Sequence, residues 1–173
     1  ADIAEFPLER GTPEQAAAYG ELMDEGLSAL RDCPLPTIAA IEGPCCGIGL
    51  VTALACDIRI AAESARFGVP VARIGINMPA PEMVVLFEAV GAAAALEILL
   101  EGEVFGSARA LALKLVTRVA ADDVLEEAVS AACRHISAGA PMAARVHKQM
   151  IRALAAGRGL SAAELAECEQ FFG

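Results

Sequence analysis

The sequence predicts an α/β fold in which strands alternate with helices at first and helices stand alone afterwards. Two short runs, Thr37 to Ile41 and Asp57 to Ala61, are rich in β-branched residues and apolar on both faces, as buried strands are. Runs with helical spacing separate and follow them, and beyond residue 120 only helical patterning remains. Composition agrees: of 173 residues, 56% are hydrophobic and 4% aromatic, enough apolar surface for a core but with few large rings. Much of that apolar share is alanine, which favours closely packed helices.

In chain order, Thr12 and Pro13 read as an N-cap and a first-turn proline opening a helix over about 14–32. Ala17, Leu22, Met23, Leu27 and Leu30 line one face of it, and Pro34 and Pro36 stop it. The strand Thr37 to Ile41 runs into Gly43-Pro44-Cys45-Cys46-Gly47-Ile48-Gly49, and Leu50 to Cys56 supplies two helical turns. A strand at Asp57 to Ala61 and a shorter one at Ala65 to Phe67 follow, then an irregular connection from Gly75 to Pro81. Glu82 to Val90 and Ala92 to Leu100 read as two helices parted by Gly91. Next come an extended Val104–Phe105, a helix from Ser107, and a last strand at Leu115 to Val119. Asp122 or Asp123 is expected to cap a helix ending near Ser137. Ala143 to Ala155 and Ser161 to Phe172 complete the tail, and Ser161 with Glu164 forms a capping box. Two regions result: residues 1–120, with the glycine loop at 43–50, and a helical region, 121–173.

Thirteen Lys and Arg against 23 Asp and Glu leave a formal charge of −10. Such a surface repels phosphate backbones and argues against nucleic-acid binding. Glu88 and Glu97 interrupt the apolar stretches well short of a membrane span. The six cysteines form no CxxC pair and have no neighbouring histidines, so they read as buried, reduced thiols of a cytoplasmic protein, with no metal site. The chain starts at Ala1 and not at methionine, which reads as a processed or truncated piece.

A strand, a glycine turn and a helix aim free N–H groups at whatever lies above the turn. A dinucleotide fingerprint fails because Thr52 stands where a third glycine is needed, and no phosphate-loop lysine follows. A tight turn with no ligand remains open on this evidence. The wider context is more specific. Pro36 to Gly43, the loop, and Ala53-Leu54-Ala55-Cys56-Asp57-Ile58-Arg59-Ile60-Ala61 resemble the signature region of the crotonase (enoyl-CoA hydratase/isomerase) superfamily. The resemblance continues through Ala65 to Pro70, Ile74 to Ile76, Val90-Gly91, Ala95 to Leu100, Gly102, Ala110 and Leu115-Val116. Ala1-Asp2-Ile3 resembles the tail of that family's A-G-A-D-I segment.

The resemblance implies a spiral of strand-strand-helix turns, two roughly perpendicular sheets, and a helical C-terminal region used in trimer contacts. It implies a CoA thioester as substrate, with no separate cofactor and no metal. Its enolate-like oxyanion is held by two backbone N–H groups, one of which falls by register on Ile48 and the other before Ala1. The segments that implies for CoA contact include Ala1, Asp2, Ile3, Pro44, Gly47 and Gly49. The two glutamates of the family's hydratases fall on Val51 and Val71, which cannot move a proton and so imply only a greasier pocket. Glu82 stands in place of a family glycine, either as a relocated base or as a carboxylate favouring a helix N-terminus while facing solvent.

Cys45 or Cys46 as a nucleophile lacks a nearby histidine, His135 and His147 lie on late helices, and Arg145, His147 and Lys148 read as an exposed basic turn. Asp57 reads as a structural hydrogen-bonding residue, and Glu42 and Glu63 as solvated. Three functions stay open: a hydratase or double-bond isomerase (lyase or isomerase) of fatty acid metabolism, a non-catalytic acyl-CoA-binding relative, and a structural partner subunit. Exposed strand edges and apolar helix faces argue against a stable monomer, and the resemblance implies a homotrimer or dimer of trimers.

Overall fold

The computed structural model describes residues 11–169, which divide into two compact units between Cys33 and Pro34. In the first unit, α1 (Pro13–Arg31) begins with the expected cap. The Gln15 N–H donates to Thr12 Oγ1 at 3.2 Å and the Thr12 N–H to Gln15 Oε1 at 3.1 Å, so two orphan amides of the first turn are satisfied reciprocally.

The second unit is built from strand pairs. β1 (Ile38–Ile41) and β2 (Pro44–Cys46) lead into α2 (Ile48–Ala55). β3 (Ile58–Ala62) and β4 (Arg66–Gly68) follow, then a 3-10 turn (Pro70–Ile74) and α3 (Ala80–Glu101). β5 (Phe105–Gly106), α4 (Ser107–Ala112) and β6 (Arg118–Ala120) close this part. β1 and β3, the first strands of two pairs, share one sheet with β6, ordered β1-β3-β6, and β2 and β4 share another with β5, ordered β2-β4-β5. Ile38 pairs with Ile58 and Pro44 with Arg66, both in parallel ladders, as a strand-strand-helix spiral requires. The predicted α/β class and spiral are therefore present. After a 3-10 turn (Asp122–Val124), α5 (Leu125–Ser137), α6 (Pro141–Ala155) and α7 (Ala162–Glu169) form the helical tail.

The core gathers where the layers meet. Ile60 and Ala62 of β3 pack with Leu125 and Ala132 of α5, and Ile38, Ile58, Ala128 and Val129 flank them. The α5 positions 125, 128, 129 and 132 follow helical spacing, so one stripe covers the first sheet. Phe67, Leu86, Leu115 and Leu50 are fully enclosed, each such side chain contributing about 1.5–3 kcal/mol.

Local expectations needed several corrections. The glycine loop contains a strand: Cys45 and Cys46 pair with Phe67 and Gly68. The last strand is 118–120 and not 115–119. Leu115 and Val116 are apolar because the turn that follows α4 is buried, and both N–H groups donate back to the Ala110 carbonyl. Asp122 does not cap α5; its Oδ1 accepts the Ser64 N–H at 3.0 Å, tying the tail to the β3–β4 turn. Cys133 is exposed, against the expected burial. The capping box of α7 is present: Ser161 N–H donates to Glu164 Oε2 at 2.8 Å and Glu164 N–H to Ser161 Oγ at 3.3 Å.

The two helices expected around Gly91 form one 22-residue element broken at that residue, with φ 77° and ψ 172°. By length and composition α3 reaches what a membrane span needs. The break divides it into legs too short to cross separately, which adds to the interruption by Glu88 and Glu97. Met83, Val84, Phe87, Leu96 and Leu100 are exposed along it, and its apolar residues line a groove of about 440 Å³.

Candidate functional site

β2 ends in Gly47, whose N–H donates to the Gly68 carbonyl at 2.9 Å and so extends the β2–β4 ladder by one bond. At Gly47 the backbone turns sharply, with φ 53° and ψ −124°, a combination that side-chain-bearing residues rarely adopt. α2 starts at the next residue. No side chain caps it, and among the described residues the amides of Ile48, Gly49 and Leu50 donate to no protein acceptor. The first intrahelical bond runs from the Val51 N–H to the Gly47 carbonyl at 3.2 Å. Three donors at the positive end of a helix dipole suit an oxygen that carries or develops negative charge.

Burial, with the adjacent Cys46, pushes the Cys45 thiol up to about 11, and burial raises Cys46 as well. Both are neutral thiols near pH 7, poor nucleophiles. Of the positions singled out in the sequence, Ile48 is half-buried at the turn, Gly49 and Pro44 are exposed, and Val51 is wholly enclosed. Val71 is half-buried on the 3-10 turn, and Glu82 is half-buried in the first turn of α3, not fully turned to solvent. α3 packs against both α2 and the 3-10 turn, so the elements carrying Ile48, Val51, Val71 and Glu82 adjoin one helix. Ala1, Asp2 and Ile3 lie outside the described residues. His135 and His147 are exposed on α5 and α6, and Glu42 and Glu63 are exposed as expected.

Charged side chains gather at the opposite end of α2. Asp57 Oδ2 accepts the Thr37 N–H at 2.8 Å and the Thr37 hydroxyl at 2.9 Å. Lys148 Nζ lies 2.7 Å from the same oxygen, and Arg152 Nη2 lies 2.8 Å from Oδ1. Arg152 Nη2 also donates to the Ala55 carbonyl at 2.7 Å, and Lys148 Nζ to the Leu35 carbonyl at 2.9 Å. Burial is the largest influence on the Asp57 carboxyl and pushes it up. The Lys148, Thr37 and Arg152 hydrogen bonds together outweigh burial and hold it below the usual carboxylate range.

The structural reading of Asp57 is met, whereas Lys148 departs from the expected exposed basic turn: its side chain is 8% exposed. The sequence held the signal. Lys148 and Arg152 are four apart on a helix and present two cations on one face. What it did not reveal was the carboxylate they share.

Comparison with known proteins places the chain in a family. The sequence matches the family model described as enoyl-CoA hydratase/isomerase over residues 1–171. It is 38% identical over 136 residues to a protein named "Probable enoyl-CoA hydratase" from Bacillus subtilis, covering 78% of this chain and 52% of that one. A crystal structure of an enoyl-CoA hydratase/carnithine racemase from Magnetospirillum magneticum superposes with a TM-score of 0.95 at 47% identity, covering 99% of this chain and 64% of the other. A Thermobifida fusca chain solved in complex with CoA superposes with a TM-score of 0.78 at 31% identity, covering 92% and 62%. The chain spans about half the length of the curated relatives it matches.

Proposed function

This chain belongs to the enoyl-CoA hydratase/isomerase family, and from that membership we propose that it acts on an acyl- or enoyl-CoA thioester, with the Ile48 N–H holding the thioester oxygen. The observation that carries this reading is the run of unused amides at the start of α2. When a proton leaves the carbon next to, or conjugated with, the thioester carbonyl, the electron pair moves onto the carbonyl oxygen. A preorganised N–H stabilises that charge more than it stabilises the neutral ground state, which is how such a donor lowers a barrier. Pro44, Gly47 and Gly49 leave the backbone accessible to CoA at this turn, and Ala1, Asp2 and Ile3 belong to the same contact by the family pattern.

The proton has to go to a base. At the positions of the family's two acids the chain has Val51, enclosed in the core, and Val71. Glu82, the carboxylate in the first turn of the helix that adjoins both, is the base in this reading. In an isomerisation Glu82 takes the proton from one carbon, the charge rests on the oxygen at Ile48, and the same proton returns two carbons away. No redox partner, metal or separate cofactor enters this step. The apolar residues at 51 and 71 favour double-bond migration over hydration, because neither activates water.

The same two valines support a second reading, an acyl-CoA-binding relative without turnover. Hydration and double-bond migration of short enoyl-CoA esters by the full-length protein separate the two. Turnover lost in Glu82→Gln supports the enzyme; tight binding of acyl-CoA with no turnover selects the binding protein; unchanged turnover in Glu82→Gln removes the base assignment. The exposed apolar side chains of α3 suit assembly as a homotrimer or dimer of trimers, which sedimentation tests. The free thiols among the described residues suit the reducing cytoplasm.

A further inference from the structure

α2 is two turns long, and its two ends are treated in opposite ways. Its first amides are free, while the carbonyl of its last residue, Ala55, is bound by Arg152 Nη2 at 2.7 Å. That same nitrogen lies 2.8 Å from Asp57 Oδ1, so a single guanidinium corner joins the end of α2 to the carboxylate that starts β3. Leu50 and Val51 are wholly enclosed, which removes sideways play near the N-terminal turn. The remaining freedom of a short rod is a slide or tilt about its far end, and Arg152 occupies that end. With 1.5 Å of rise per residue, the Ile48 amide lies roughly 10 Å up the helix, so a tilt at Ala55 displaces it.

We infer that Arg152 is a positioning residue for the Ile48 N–H: α6 holds α2 from behind and sets where its first amide points. The inference rests on the proposed role of that amide. Lys148 provides the contrast. It shares Asp57 with Arg152, but its second bond goes to the Leu35 carbonyl ahead of β1, and it makes no hydrogen bond to α2. A purely structural role predicts that losing either cation has the same consequences. A positioning role separates them.

The experiment uses the full-length protein and reads the infrared carbonyl stretch of bound, carbonyl-labelled butyryl-CoA, together with enoyl-CoA kinetics. In the unaltered protein the bound carbonyl is polarised and its stretch lies below that of the free ester. Arg152→Gln moves the stretch back toward the free value and lowers kcat about tenfold, with KM changed less than about twofold, since small misplacements of a charge-stabilising group act on the transition state. Lys148→Gln lowers thermal stability as much or more but leaves the bound stretch in place. Arg152→Lys keeps a cation at Asp57 and cannot bridge to Ala55 as well, so it gives a partial reversal. It is the measurement relied on if Arg152→Gln does not fold. Equal shifts in the Arg152 and Lys148 variants, or no shift in either, overturn the inference and leave the Ile48 reading standing. Binding to the unaltered protein without polarisation of the carbonyl overturns both.

Discussion

The two ends of α2 form an instructive pair. Every helix leaves unpaired amides at one end and unpaired carbonyls at the other. At its C-terminal end the carbonyl of the last residue, Ala55, accepts a hydrogen bond from Arg152 of α6, and the Ala53 carbonyl accepts the Cys56 N–H. At its N-terminal end it has neither a capping side chain nor an acceptor. α1, with its reciprocal Thr12–Gln15 cap, shows that the protein uses ordinary capping elsewhere. The contrast is between an end that a charged side chain closes and an end whose amides meet no protein acceptor among the described residues.

The largest expected effect comes from breaking the satisfied end. Asp57→Ala leaves Lys148 and Arg152 without their shared anion and costs about 3–5 kcal/mol, the usual penalty for stranding partly buried charges. Urea unfolding checks it. The same carboxylate has a pH signature. Its folded value is lowered, so its contribution is fully present above the unfolded value of about 3.9 and is lost as pH falls through the lower folded value. Stability followed from pH 7 into acid is therefore expected to fall less steeply in Asp57→Asn than in the unaltered protein.

Next in size is a change at the open end. Gly47→Ala puts a side chain where φ is 53°, with an expected cost of about 1–3 kcal/mol, and it re-aims the Ile48 amide. Acyl-CoA affinity measured by calorimetry falls together with stability; a loss of stability with unchanged affinity separates the turn from binding. Thr37→Val is the smallest change. It removes the hydroxyl's bond to Asp57 Oδ2 and its acceptance of the Asp57 N–H, which keeps the Thr37 carbonyl as acceptor, so about 1 kcal/mol is lost in thermal unfolding and affinity stays the same.

Much of this architecture was legible in the residues. The caps at Thr12 and Ser161, the strands near 38–41 and 58–62, and the break at Gly91 are local features whose causes lie within a few positions, although in the first strand only Ile41 is buried and Ala40 is exposed. The turn at Gly47 was equally visible, as a strand, glycines and an apolar run. The strand at Pro44–Cys46 was not, because its ladder is made with residues 66–68 and three residues that begin with a proline carry no strand period. Leu115 and Val116 misled for a related reason: an apolar pair signals burial, and burial is shared by strands and enclosed turns.

By itself, the amino-acid order determined where helices start and stop, which stretches had to be hidden, and that a glycine turn would present amides, because neighbouring side chains and backbone sterics decide those things. Whether the amides stayed unclaimed, and which cations would meet Asp57, was decided only when segments 91 and 95 residues away closed onto it. Hydrogen bonds and ion pairs depend on distances of about 3 Å, and spacing along a chain does not specify distance across a fold.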